Sequence, residues 1–206
     1  MNTIQKLTEY FAEFPGIGPR QARRFAYFLL TRQNGYVDEF IRLIGELRGA
    51  VRSCSSCYRF FQSDNTKTKL CDICRSPNRD ESILTIVARD VDLENVEKAH
   101  LLNCFYFVLG GSVPILEKNP EARIRKKELL TTVNERAKKS VLKEIILALN
   151  ATPDGENTAD YIELLLRPIA SEHNIKISHL GRGISTGTEL EYSDAETIKN
   201  ALKNRQ

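Results

Sequence analysis

Four of the five cysteines stand as two Cys-x2-Cys pairs, Cys54/Cys57 and Cys71/Cys74, thirteen residues apart. Each pair presents two thiolates from one turn to a single cation. Two such pairs make a closed tetrahedral sulfur site, the ligand set that suits Zn²⁺. A closed site leaves no position for water or substrate, so the metal is expected to be structural, one ion per chain. A four-thiolate iron–sulfur cluster is the alternative. Residues 53–78 are otherwise polar, with little apolar mass, so the metal is expected to supply most of this module's folding free energy. Cys104 stands apart in the apolar run Leu101–Phe105 and reads as a buried small hydrophobe, not a nucleophile. His100, His173 and His179 have no cysteine or carboxylate at ligand spacing.

Around this module the chain has material for a core. Of its 206 residues, 41% are hydrophobic and 28% charged, which excludes wholesale disorder. No apolar run approaches the roughly 18–20 residues needed to span a bilayer. The N-terminus MNTIQKLTEYFAEF lacks a basic-then-apolar signal layout, so a cytoplasmic protein is expected, where thiols stay reduced.

The net charge of +3 conceals segregation. Phe14–Val37 holds four arginines and no acid, whereas residues 80–97 hold six acids (Asp80, Glu81, Asp90, Asp92, Glu94, Glu97) and one arginine. Residues 121–143 carry eight basic side chains against three acids, a second basic stripe or an ordinary solvated helix face. Local basic stripes suit a protein that meets phosphate on one face and something else on another.

The periodicity divides the chain. Ile4, Leu7, Phe11 and Phe14 recur at helical spacing, as do Ala22, Phe25, Ala26 and Leu29. A third helix is predicted from Tyr36 to about Ala50, with Val37, Phe40, Ile41, Ile44 and Leu47 on one face. From residue 82, apolar runs at Ile83–Ala88, Cys104–Leu109, Glu144–Leu149 and Ile175–Leu180 alternate with helical segments near 92–99, 121–139, 156–172 and 194–204. Strand–helix alternation of this kind predicts an α/β fold with a mostly parallel sheet.

The first two helices meet at Phe14-Pro15-Gly16-Ile17-Gly18-Pro19-Arg20. Two glycines two apart allow a left-handed backbone, and Pro19 suits a first helical turn. The expected product is a tight corner whose unpaired amides attract a phosphate oxygen, with Arg20, Arg23 and Arg24 reaching neighbouring phosphates. This is the helix-hairpin-helix pattern, which grips the backbone without reading bases, so Gly16, Gly18 and the three arginines are the candidate DNA-binding residues. A plain helix connector and a protein–protein contact are the alternative uses of such a corner.

In order and spacing, FPGIGPRQARRFAYFLL, the four cysteines, a strand–helix module and GISTGTELEYSDAETIKNAL together resemble the RecR family over nearly the whole chain. The tracts Val108-Leu109-Gly110-Gly111 and Asp154–Ala159 are similar to the family's as well. The resemblance implies a helix-hairpin-helix domain (1–52), a four-cysteine zinc finger (53–78), a Toprim α/β domain (79–173) and a short α/β tail of Walker-B-like type (174–206). It implies a nucleoid-associated recombination mediator in DNA repair. Such proteins form ring-shaped homotetramers able to encircle DNA, and bind single- and double-stranded forms. They act with RecO, and in many bacteria RecF, to help load RecA on single-stranded gaps. The family's DNA-contacting basic residues fall on Arg20 and Arg24, its metal ligands on Cys54, Cys57, Cys71 and Cys74, and a partner-binding patch is expected at Asp90, Asp92 and Glu156.

The chain departs from that pattern in places. Ala88 stands where the family's Toprim glutamate is expected, and Phe107 where a histidine precedes Val-Leu-Gly-Gly. The tail reads Gly183-Ile184-Ser185-Thr186-Gly187-Thr188 in place of Gly-Ile/Val-Pro-Val-Gly-Gly. A catalytic Toprim site needs a glutamate and an Asp-x-Asp pair holding Mg²⁺. Ala88 and the strand end Leu149-Asn150-Ala151-Thr152 offer neither, so no catalytic residues and no enzymatic activity are expected. No Gly-x4-Gly-Lys-Ser/Thr phosphate loop occurs either. A Toprim-type nuclease and a zinc-ribbon protein-interaction module are the competing functional readings.

Overall fold

The computed structural model describes residues 1–62, 68–184 and 187–203. It separates into two compact units, Met1–Arg52 and Ser53–Gln206, and each has its own packing logic.

The first unit is helical. Helix α1 (Thr3–Ala12) opens with a reciprocal cap: the Gln5 amide donates to Asn2 Oδ1 at 2.9 Å, and the Asn2 amide to Gln5 Oε1 at 2.9 Å. That satisfies two amides with no intrahelical partner. Helix α2 (Pro19–Leu30) packs on it through Phe11, whose ring meets those of Phe14 and Phe25 edge-on at 5.8 Å each. Helix α3 (Asn34–Ala50) starts two residues before the expected Tyr36 and meets α2 through the Phe28–Tyr36 ring contact. Only Ala22 and Ala26 are fully buried in this unit. The expected apolar face of α3 is present but uncovered: Ile41, Ile44 and Leu47 are 62%, 55% and 60% exposed.

Helix α3 ends where the backbone becomes extended at Val51, into β1 (Val51–Ser53). The second unit then sets the cysteine module, β2 (Phe60–Gln62) and the short helix α4 (Asp72–Arg75), ahead of a four-stranded sheet. The sheet comprises β3 (Asp80–Val87), β4 (Cys104–Val108), β5 (Glu144–Ala148) and β6 (Lys176–His179), ordered β4-β3-β5-β6 and parallel throughout. Leu84 stands between Phe105 and Ile145, which sets the register. Helices α5 (Asp90–Lys98), α6 (Lys126–Lys138) and α7 (Pro153–Glu172) make the crossovers, and α8 (Ala195–Lys203) follows the sheet.

Strand side chains alternate between faces, so each face gathers its own core. On one face Leu84, Ile86, Phe105, Phe107, Ile145 and Leu147 pack against α6 and α7 through Leu129, Val133, Ile162 and Leu166. On the other, Val87, Tyr106, Val108 and Ala148 pack against Leu93 of α5 and against the cysteine module. The expectation that residues 53–78 lack apolar mass is therefore corrected. Phe61 and Ile73 are buried with the cysteines in that second core, and the Val108 amide donates to the Cys57 carbonyl at 2.9 Å. Two apolar side chains suffice because the sheet supplies the rest of the core.

Helix boundaries shift for local reasons. The segment expected to be helical from 121 begins regular helix only at Lys126. Before it, Arg125 is pinned to the end of β4, its amide to the Leu109 carbonyl and its Nη1 to the Val108 carbonyl, both at 2.9 Å. Helix α7 starts at Pro153, capped by Thr152, whose Oγ1 accepts from the Gly155 amide at 3.2 Å. A Cβ at Gly155 would lie 2.0 Å from the Asn150 carbonyl oxygen, so only glycine fits that turn. The expected division at 173/174 falls at the C-terminus of α7, and β6 beyond it pairs with β5. Ser185 and Thr186 of the tail motif lie outside the described residues. Among the described residues no helix is long and apolar enough to cross a membrane.

Candidate nucleic-acid interface and metal centre

The glycine corner has the geometry its sequence demands. Gly16 adopts φ +77°, which a side chain would strain, and the Ile17 amide closes the turn on the Phe14 carbonyl at 3.0 Å. Gly18 is the N-cap of α2 and brings no side-chain cap. The first intrahelical bond is Ala22 amide to Gly18 carbonyl, 3.0 Å. The amides of Gly18, Arg20 and Gln21 therefore have no partner among the described residues, and they carry the positive end of the α2 dipole. Arg20, Arg23 and Arg24 are all exposed and, with Pro19 and Tyr27, line a groove of about 660 Å³. Arg24 reaches only Gln21, at 3.3 Å, and none of the three pairs with a carboxylate among the described residues.

The four cysteine sulfurs lie within 4.8 Å of one another, three of the residues buried and Cys74 half-buried. A tetrahedral site with metal–sulfur bonds of about 2.3 Å places sulfurs about 3.8 Å apart. Cys57 Sγ and Cys71 Sγ stand at 3.6 Å, so the residues fit a divalent ion. The backbone contributes too, with the Cys71 amide donating to Cys54 Sγ at 3.4 Å. Crowding splits the thiols. Hydrogen bonds with Cys57, then with Cys71 and Cys74, push the Cys54 thiol well below its ordinary range, while Cys57 is pushed up, chiefly by its bond with Cys54. Four thiols at this spacing deprotonate together only around a cation. This is the only group of three or more candidate ligands brought together among the described residues.

The acidic residues are separately engaged. Asp90 Oδ1 accepts from the Phe60 amide at 2.7 Å, so it fastens β2 to the start of α5. Asp92 Oδ2 accepts from the Arg89 amide at 3.0 Å as part of the α5 cap. Glu156 is ion-paired with Arg182, and Glu97 with Arg79. Ala88 is buried at the end of β3 and Phe107 within β4. Cys104 is buried, with its Sγ 3.1 Å from Thr85 Oγ1. Sequence reasoning missed the part of Phe61, Ile73 and Tyr58 in joining the cysteine module to the sheet. The adjacent Phe60-Phe61 pair was the available signal.

Comparison with known proteins matches three family models in chain order: "RecR, helix-hairpin-helix" over residues 4–47, "Toprim domain" over 82–181 and "RecR, C-terminal" over 183–206. The chain is 34% identical over 202 residues to a protein named recombination protein RecR from Clostridium perfringens, covering 98% of this chain and 95% of that one. It is 35% identical over 204 residues to the one named so from Bifidobacterium adolescentis, with the same coverage. Matches of this extent, on a fold that places the glycine corner, the four-cysteine cluster and the parallel sheet in that sequence, mean that the chain belongs to the RecR family of recombination proteins.

Proposed function

We propose that this protein is a non-enzymatic DNA-binding mediator of recombinational repair. The single observation that carries the reading is the start of α2, where unpaired amides stand beside three exposed arginines without carboxylate partners among the described residues. Such a surface takes the sugar–phosphate backbone of single- or double-stranded DNA without reading sequence. Gly16, Gly18, Arg20, Arg23 and Arg24 form the contact, and the four cysteines hold one structural Zn²⁺. Residues 1–52, 53–78, 79–173 and 174–206 act as DNA-binding, zinc, Toprim and tail segments.

The uncovered apolar face of α3 supports assembly of copies into a closed ring. A ring suits the family role, in which the protein acts in the cytoplasm, on the nucleoid, with RecO, and with RecF where present, to load RecA on gaps. Asp90, Asp92 and Glu156 are proposed as the partner-facing acids. Catalysis is not part of the reading, because Ala88 and Asn150–Thr152 put no carboxylate at the strand ends where Toprim chemistry needs them.

Binding to labelled oligonucleotides across a salt series tests the interface. Arg20→Glu with Arg24→Glu is expected to weaken binding and to lower the salt slope by about 0.7–0.9 for each phosphate no longer neutralised. An unchanged affinity and slope would remove α2 from the DNA-binding surface. Nicking of plasmid by the pure protein with Mg²⁺, abolished by Asp92→Ala, would overturn the non-enzymatic reading.

A further inference from the structure

Arg136 on α6 is a half-buried cation that makes no close ion pair among the described residues, although Cys74 and Glu81 act on it from further off. Its guanidinium lies 4.6 Å over the Phe105 ring. Stacking uses the flat face and leaves the N–H edge free. Among the described residues it makes no ion pair within 4 Å and no hydrogen bond. Arginine stays protonated even though burial pulls its pKa down. Its five donors keep an open edge toward solvent and favour an anionic acceptor.

The guanidinium borders a cavity of about 360 Å³ between the turn after Cys54 and α6. Ser55, Ser56 and Thr132 line it with hydroxyls that have no partner among the described residues, and Lys139 adds a second cation. Glu81 and Glu135 border it too, neither within ion-pair distance of Arg136. With two acids beside two cations, the cavity lacks the positive excess that a polyanion needs. A single flat carboxylate, held by one guanidinium edge and neighbouring hydroxyls, matches it better than a phosphate chain does.

We infer that the cavity between the Ser55–Ser56 turn and α6 is a binding site for a carboxylate group of a polypeptide, with Arg136 as its anchoring cation. The carboxylate belongs to an Asp or Glu side chain or to a chain terminus. The site stands apart from the α2 interface and does not depend on the DNA-binding reading.

Full-length metal-loaded protein, with Arg136 guanidinium signals followed by NMR, tests this. Three acetylated glycine peptides serve as probes: one with a central Asp and an amidated end, one with a free C-terminus, and one amidated with no carboxylate. Inorganic phosphate is the fourth ligand. Saturable shifts with either carboxylate peptide, absent with the blank, are expected, and the two peptides distinguish side chain from terminus. Arg136→Gln is expected to weaken binding at least tenfold. Ser55→Trp, at an exposed position, is expected to weaken it similarly by filling the cavity mouth while leaving Arg136 and the fold intact. Equal response to all three peptides, response to phosphate alone, or full binding by Ser55→Trp would each overturn the site. So would an Arg136→Gln variant that releases metal faster to a chelator yet binds the peptide unchanged, since Arg136 would then serve only to balance thiolate charge.

Discussion

The two units of this molecule solve the burial problem in opposite ways. In Ser53–Gln206 a parallel sheet is covered on both faces, and most large apolar side chains of its strands are buried. In Met1–Arg52 only two alanines are fully buried, while α3 carries an exposed row of Phe40, Ile41, Ile44 and Leu47. A sheet with crossovers completes its core within one chain. Three helices in about fifty residues bury too little surface for that. The difference teaches where to look for association: the sheet completes its own core, and its unit exposes apolar side chains outside the sheet, such as Leu101 and Leu116, whereas in the helical unit the exposed row lies along one face of α3.

Metal removal is the largest test of that contrast. A structural zinc site contributes about 10 kcal/mol or more. If the four cysteines hold such an ion here, chelation is expected to release Phe61 and Ile73 from the sheet as well as to open residues 53–78. Hydrogen exchange after chelation is expected to show reduced protection in β2 and α4 with the helical unit unchanged. Unaltered protection in the cysteine module would mean that the packing against Val87 and Tyr106 suffices without metal. The next test strikes the helical unit. Ile44→Asp with Leu47→Asp is expected to leave the helix content intact, because both side chains are exposed in the single chain. If α3 closes against another copy, association weakens by about 2 kcal/mol or more, some thirtyfold. Light scattering with an unshifted assembly equilibrium would show that α3 is not the interface.

A smaller effect is expected within the sheet unit. Arg79 Nη1 donates to Glu97 Oε2 at 3.1 Å and to the Cys104 carbonyl at 2.9 Å. The Arg79 hydrogen bonds hold the Glu97 carboxyl below its ordinary range. A depressed folded pKa means stabilisation that is present above the unfolded value of about 4.3 and lost as pH falls through the folded value. Glu97→Gln is expected to cost about 2 kcal/mol at neutral pH, with the gap to the parent protein narrowing below pH 4. Denaturant midpoints that differ equally at pH 7 and pH 3 would assign the effect to packing instead.

Much of this was legible in the residues. Gly16, Pro19 and the arginine run placed the corner because only certain residue types tolerate that backbone. The Cys-x2-Cys pairs placed the four-thiol cluster because a knuckle is local. Strand positions followed from apolar runs that a doubly covered sheet requires. Less legible were helix starts fixed by distant groups, such as Lys126 after Arg125 had been pinned to β4. Nor did the sequence show that Asp90 would commit its carboxylate to the Phe60 amide, thirty residues away.

The sequence by itself determined the elements and the chemistry carried on short spans: the cap at Asn2, the glycine corner, the paired thiols and the alternation of strands with helices. Each depends on neighbours a few residues apart, whose backbone preferences act before any tertiary contact forms. Only the folded chain decided what lies on which face. It set the cysteine module on the sheet, left α3 uncovered, and carried Arg136 over Phe105 beside hydroxyls some eighty residues earlier. Those outcomes depend on sheet order and strand register, which bring together side chains that no local spacing relates.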